Sequence, residues 1–287
     1  MKTLKTIVIL TFCTLLSLNP LFAQELPQPS PSAEVKQRIG LTDVSINYSR
    51  PSVKGREIFG KLVPFGEIWR TGANANTLIT FSDDVKINGI AVKAGTYSFF
   101  TIPGKTEWKV IINSSTDGWG DGKYDEKNNV FTAIVKPGKG IFQESMRFTF
   151  EKLQPTHGSL VLAWAEVYIE LKIDVDVDKK ALTNIEKAMA EATDKNKAGV
   201  YRNAAKYYLD NKLDLEKALT WINESIAAQE YWYTYWVKAD IQHAKGDNSG
   251  AIASAKKAIE LGETGTKESG KPFGYKEKIE ASIATYK

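Results

Sequence analysis

The chain has 287 residues, 43% of them hydrophobic and 25% charged, and its 38 basic and 34 acidic side chains leave a formal net charge of +4. That balance argues against long disorder and a multi-pass membrane protein, and it provides no global attraction to nucleic acid or anionic lipid. A single cysteine, Cys13, and two histidines, His157 and His243, leave thiol chemistry and zinc ligation without material.

Residues 1–23 read as a secretory signal. Lys2 and Lys5 form a charged start, 7–18 is an apolar run, and Leu21-Phe22-Ala23 ends in a small residue. The run is shorter than the roughly 20 residues a spanning helix needs. Phe12 is too bulky to precede a lipidated cysteine at Cys13. Cleavage would leave a chain with neither a cysteine nor a membrane span, and the expected address is the periplasm or the cell exterior. Residues 24–32 hold three of the ten prolines and read as an extended leader.

From about Val44 short alternating runs take over, at 44–48 and 77–81, then 84–87 and 90–93 on either side of Asn88-Gly89. Asn-Gly between alternating runs predicts a two-residue hairpin, because a type I′ turn needs positive φ at both central positions. Further runs follow at 96–102, 108–112, 130–135, 146–153, 159–164 and 167–177. Roughly nine or ten strands without a helical period predict an antiparallel β-sandwich or barrel over 33–178.

Beyond Asp178 the period becomes helical, with Ala181, Leu182, Ile185, Ala188, Met189 and Ala192 at steps of three and four. The chain is therefore expected to be α+β in two domains, the second over 179–287. Ala218-Leu219 and Ala251-Ile252 lie 33 residues apart, and the same offset pairs Tyr208 with Ile241, Asp214 with Asp247 and Ile226 with Ile259. Ala239, Gly246, Ala251 and Ala258 fall at small-residue positions and Tyr235 at an aromatic one, so that 200–263 resembles the tetratricopeptide family. Lys206 and Leu213 depart from that pattern. The resemblance implies a protein-interaction surface, with flanking helices at 181–192 and 275–286 capping the stack.

The β half carries a more particular pattern. Arg50-Pro51-Ser52-Val53-Lys54-Gly55-Arg56-Glu57-Ile58-Phe59-Gly60 leads to Pro64-Phe65-Gly66-Glu67-Ile68-Trp69-Arg70-Thr71-Gly72-Ala73-Asn74 and on to Ala94-Gly95-Thr96-Tyr97 and Trp108. Over 33–177 the chain resembles the domain-of-unknown-function family 2911. The resemblance implies a secreted protein of Bacteroidota-type bacteria, some members having helical repeats appended, and brings no activity with it.

Two constellations are candidate sites. Arg50, Lys54, Arg56, Glu67, Trp69, Arg70, Asn74 and Asn76 gather cations, amides and an indole that suit a carboxylate, a phosphate or a sugar face. The competing reading is an ordered loop whose arginines bond backbone carbonyls or pair with Glu67. In the helical half, Tyr231, Trp232, Tyr233, Tyr235 and Trp236 either pack between helices or line a groove for a peptide.

Other patterns carry less. Asp117 to Asp125 resembles a calcium loop at Asp117, Asp121 and Gly122, yet Trp119 stands where an oxygen ligand belongs and Asn128 where a bidentate acid does. Asp174, Asp176 and Asp178 share one strand face, which suits solvation as well as a cation. Neither histidine has a neighbouring serine or aspartate to complete a triad. A carboxylate pair from Glu67, Asp83, Asp84, Asp117 and Asp121 would be the route to glycoside hydrolysis. No phosphate loop or dinucleotide fingerprint is present in the sequence. The expectation is an exported envelope protein without catalytic residues, cofactor or metal, binding a protein or peptide through its helical repeats. The alternative is a receptor or hydrolase for an envelope glycan or acidic metabolite at Arg56, Trp69 and Arg70.

Overall fold

The computed structural model describes residues 26–119, 124–267 and 270–286. The signal-like segment with Cys13, and Asp121 and Gly122 of the calcium-like stretch, lie outside the described residues.

Ten strands precede six helices. The strands are β1 (Ser32–Ile39), β2 (Thr42–Ser49), β3 (Leu78–Phe81), β4 (Val85–Ile87), β5 (Ile90–Val92), β6 (Gly95–Ile102), β7 (Trp108–Asn113), β8 (Asn129–Val135), β9 (Gly138–Gln154) and β10 (His157–Val175). They form two antiparallel sheets, ordered β1-β2-β3-β6-β7-β8 and β5-β4-β10-β9. The barrel alternative is corrected here: β1 and β8 end their sheet as edges rather than pairing, so the sheets remain open.

Alternation explains how the sheets face each other. In β2, Val44, Ile46 and Tyr48 are buried while Ser45 and Asn47 are not. Val44, Ile46, Ile79, Phe99 and Ile112 of the larger sheet meet Phe148, Leu160, Leu162 and Ile173 of the smaller in one core. The Tyr48 hydroxyl crosses that core to accept the Phe148 backbone N–H at 3.1 Å. Asn88 and Gly89 take φ of 48° and 84°, as the hairpin between β4 and β5 requires.

Two departures from the sequence reading affect the site. The alternating runs of the sequence reading begin at about Val44, yet β1 ahead of them is a strand that pairs along its whole length with β2. The runs 159–164 and 167–177 were expected as two strands; they form one, bent at Ala165, whose φ is +50°. Register shifts between Ala163 and Val167 mark the bend, where β9 carries the extra residues of a bulge. The bend returns the strand to its own beginning, so that the Val175 N–H donates to the Thr156 carbonyl at 2.9 Å.

The helices are α1 (Val177–Ala190), α2 (Lys197–Asp210), α3 (Leu215–Ala228), α4 (Trp232–Ala244), α5 (Asn248–Thr266) and α6 (Lys276–Thr285). Asp214 and Asp247, one offset apart, both cap helix starts by accepting backbone N–H groups. Close packing depends on small side chains: Ala205, Ala218, Ala239, Ala251, Ala255 and Ala258 are all fully buried. Tyr286 closes the far end, its hydroxyl donating to Asp240 at 2.5 Å. Partial burial pushes the Asp240 carboxyl up, while that hydrogen bond works the other way.

The two halves meet without a linker. Asp176 caps α1 immediately after β10, and Val177 lies where a Cβ on Gly40 would come within 2.5 Å of it. Lys180 of α1 pairs with Asp83, which follows β3. Partial burial raises the Asp83 carboxyl, but hydrogen bonds from Lys180, Ser82 and Thr42 outweigh it and hold the group below 3.8. This pair is expected to contribute about 0.5–1 kcal/mol, given its partial exposure. A depressed carboxylate stabilises above its unfolded pKa and loses that contribution as pH falls through its folded one. Asp83→Asn should therefore lower the melting temperature at pH 7, and the two proteins should converge as acid titrates Asp83; thermal melts across pH check this.

Candidate functional site

The loop from Arg50 to Thr77 is fixed by side-chain hydrogen bonds, many of them to backbone carbonyls, and by Val53, Ile58 and Val63, which are buried in the core. Arg50 Nε donates to the Met146 carbonyl at 3.0 Å. Lys54, at a φ of 49°, donates its backbone N–H to Glu144 Oε1 at 2.9 Å. Arg56 turns back on its own loop, Nε to the Val53 carbonyl at 3.0 Å and an Nη to that of Ser52 at 2.5 Å. Asn74 Nδ2 donates to the Ser30 carbonyl and Ser49 Oγ, each at 3.2 Å. Asn76 is buried against Gly118 and donates to Ser98 Oγ at 3.0 Å; a Cβ on Gly118 would stand 2.3 Å from that amide nitrogen.

Trp69 is the centre of this loop. Its backbone exchanges hydrogen bonds with Thr101 at 2.8 and 2.9 Å, and its indole N–H donates to the Gly72 carbonyl at 3.0 Å. Only 6% exposed, the ring stacks on Trp164 of β10, with centroids 5.8 Å apart and planes 23° apart. Phe59 meets both indoles edge-on at 6.1 Å. The expected sugar-stacking face is thus covered by a second indole. Trp164 Nε1 is buried with no acceptor among the described residues, a state that costs about 1–3 kcal/mol.

Thr71 shows how tightly the loop is held. A β-branched residue at φ +55° is strained, yet Thr71 is fully buried there. Its hydroxyl donates to the Trp69 carbonyl at 3.2 Å and lies 3.0 Å from Thr101 Oγ1, while its carbonyl accepts Thr77 Oγ1 at 2.8 Å.

Under the loop lies a recess of about 280 Å³. Arg56, Glu67, Trp69 and Arg70 line it, together with Val63 and Trp164. Arg50, Lys54, Asn74 and Asn76 are not in its lining; they brace the loop instead. Trp164 and Ser30 also reach the recess, and sequence reasoning missed both, because nothing local in 159–164 announces a partner so far along the chain. Glu67 is the one carboxylate of the lining, so the carboxylates considered for hydrolysis are not assembled there: Asp83 pairs with Lys180 and Asp84 with Lys93.

The other candidates separate similarly. Asp174 pairs with Lys172, Asp176 caps α1, and Asp178 accepts the Tyr207 hydroxyl at 2.8 Å. Burial and that bond push the Tyr207 hydroxyl up to about 12. Among the described residues no three His, Cys, Asp or Glu side chains gather as a metal site. Trp119 is 73% exposed beside the Ala75 bridge. A second, more apolar cleft of about 500 Å³ lies where Ala181 and Ile185 of α1 and Val200 of α2 face Leu41.

In the helical half the aromatic run is partly core and partly surface. Trp232 meets Phe273 at 5.0 Å and Tyr275 at 4.8 Å, and stacks towards Trp236 at 6.4 Å. Tyr231 and Tyr275, at the two ends, remain 42% and 45% exposed. Arg202 lies over Tyr231 at 5.6 Å and Lys278 over Tyr275 at 5.4 Å. Tyr235 turns away, its hydroxyl bonded to Glu230 at 2.7 Å. That carboxylate, with some burial, pushes the phenol up to about 12.

Residues 30–173 match the model of a family described as a protein of unknown function, DUF2911. The chain belongs to this family. The match takes in the whole loop, the recess and Trp164, and it stops before the helices. No curated protein and no solved structure matches the chain.

If Trp69 is a packing residue first, Trp69→Ala should cost about 3–5 kcal/mol. Glu67→Ala, on the exposed rim, should stay within about 0.5 kcal/mol. Denaturant midpoints for the two variants make the comparison.

Proposed function

We propose that this DUF2911 protein is an exported envelope protein that captures a protein or peptide partner through its helical half, as a binding or assembly module. The signal-like segment 1–23 supports export. The 33-residue offset, the repeated aspartate caps and the buried alanines support a tetratricopeptide-like reading of α2 to α5.

The observation that carries the reading is the aromatic shelf from Tyr231 through Trp232 and Trp236 to Tyr275. Its rings are held by their neighbours, yet both ends keep large exposed areas and each end carries a stacked cation. Rigid Tyr and Trp with Arg nearby is the composition of binding hot spots, since such rings offer wide contact at small entropic cost. The hydrolase alternative has less behind it, with one carboxylate in the recess and the Trp69 face covered.

The double variant Tyr231→Ser/Tyr275→Ser should lose a specific partner from envelope extract by at least about tenfold, while circular dichroism keeps its helical signal. Glu67→Gln, in the other half, should capture the same partner normally. Equal capture by the double variant and the unaltered protein would overturn the reading.

A further inference from the structure

Three charged side chains line the recess beneath the loop: Arg70 has a partner of its own, while Arg56 and Glu67 do not pair with each other. Arg56 uses two of its five N–H groups on the Val53 and Ser52 carbonyls, which fixes the guanidinium and leaves three donors. The Glu67 side chain has no hydrogen bond or ion pair with any described residue. Both line the same space of about 280 Å³, near the lower end of small-molecule pockets and too small for a polymer segment. Val63, Ile68 and Trp69 contribute apolar surface to the same lining.

We propose that this recess binds a small zwitterion of the amino-acid type, its carboxylate on Arg56, its ammonium on Glu67 and its side chain against the apolar wall. A plain anion would leave the Glu67 carboxylate unanswered, and a neutral sugar would leave both Arg56 and Glu67 unanswered and find no open indole face. Rigidity favours a ligand of fixed span. The Arg56 guanidinium is anchored to main chain, and Thr71 sits in a strained conformation with its hydroxyl and carbonyl both hydrogen-bonded. Strain retained beside a concave polar site is the pattern of a preorganised binding loop. The proposal is independent of partner capture by the helices, and its test reads a different half of the molecule.

Calorimetric titration of the full mature protein with L-leucine, L-leucinamide and N-acetyl-L-leucine decides it. The first probe carries both charges, the second lacks the carboxylate and the third lacks the ammonium. A saturable one-to-one isotherm is expected for L-leucine, with each blocked analogue weaker by about tenfold or more. Arg56→Gln should abolish discrimination against the amide and keep it against the acetyl compound; Glu67→Gln should do the reverse. Melting temperatures of both variants near that of the unaltered protein ensure that lost discrimination reflects the site. No saturable binding of L-leucine in the millimolar range, or equal binding of all three probes, would overturn the proposal. So would N-acetyl-L-leucine binding as tightly as L-leucine, which would mark a plain carboxylate site.

Discussion

The stack of Trp69 on Trp164 joins two parts of the chain that have no other reason to meet. Trp69 belongs to an irregular loop, and Trp164 to the bend of a long strand in the smaller sheet. Besides the stack the loop rests on the buried side chains of Val53, Ile58 and Val63 and on its hydrogen bonds, and its backbone is left-handed at Lys54, Thr71 and Asn74. Two buried indoles with Phe59 against both provide the apolar contact that offsets this strain. The same contact determines what the recess above it can be. A ring used as a floor is not available as a stacking face, so recognition falls to the charged rim.

Much of the architecture was legible in the sequence, for identifiable reasons. Strands such as β2 have one face in the core and one in solvent, and their alternation is plain in Val44-Ser45-Ile46-Asn47-Tyr48. The Asn88-Gly89 turn was legible because few other residues tolerate its backbone. β1 was not: Glu34, Lys36 and Arg38 alternate with Ala33, Val35, the polar Gln37 and Ile39 after a proline-rich stretch, and only pairing with β2 gives that pattern a strand's meaning. The continuity of β10 was hidden by Ala165, an alanine in a conformation that alanine seldom adopts.

The candidate site was half legible. Residue types identified the loop but not which side chains brace it and which face the recess. Arg50 and Arg56 differ little in sequence context, yet Arg50 pins β9 while Arg56 borders open space. That distinction depends on where carbonyls of distant strands end up. The aromatic run of α4 was ambiguous for a related reason, since its rings are shared between the stack and the surface according to α6 and the segment before it, which no local period reveals.

β10 also gives the molecule a mechanical character. It is bonded to β9 along much of its length and to β4 near its end, and it passes into α1 with Asp176 alone between them. Force applied to the helices by a bound partner would enter the sandwich along the axis of this strand. It would reach first the β4 bonds at 173–175, beside the junction and buried in the core, ahead of the bend at Ala165 and the β9 pairing beyond it. The junction is thus a stiff coupling, through which a tug on the helical half displaces the sandwich as a body instead of unravelling it.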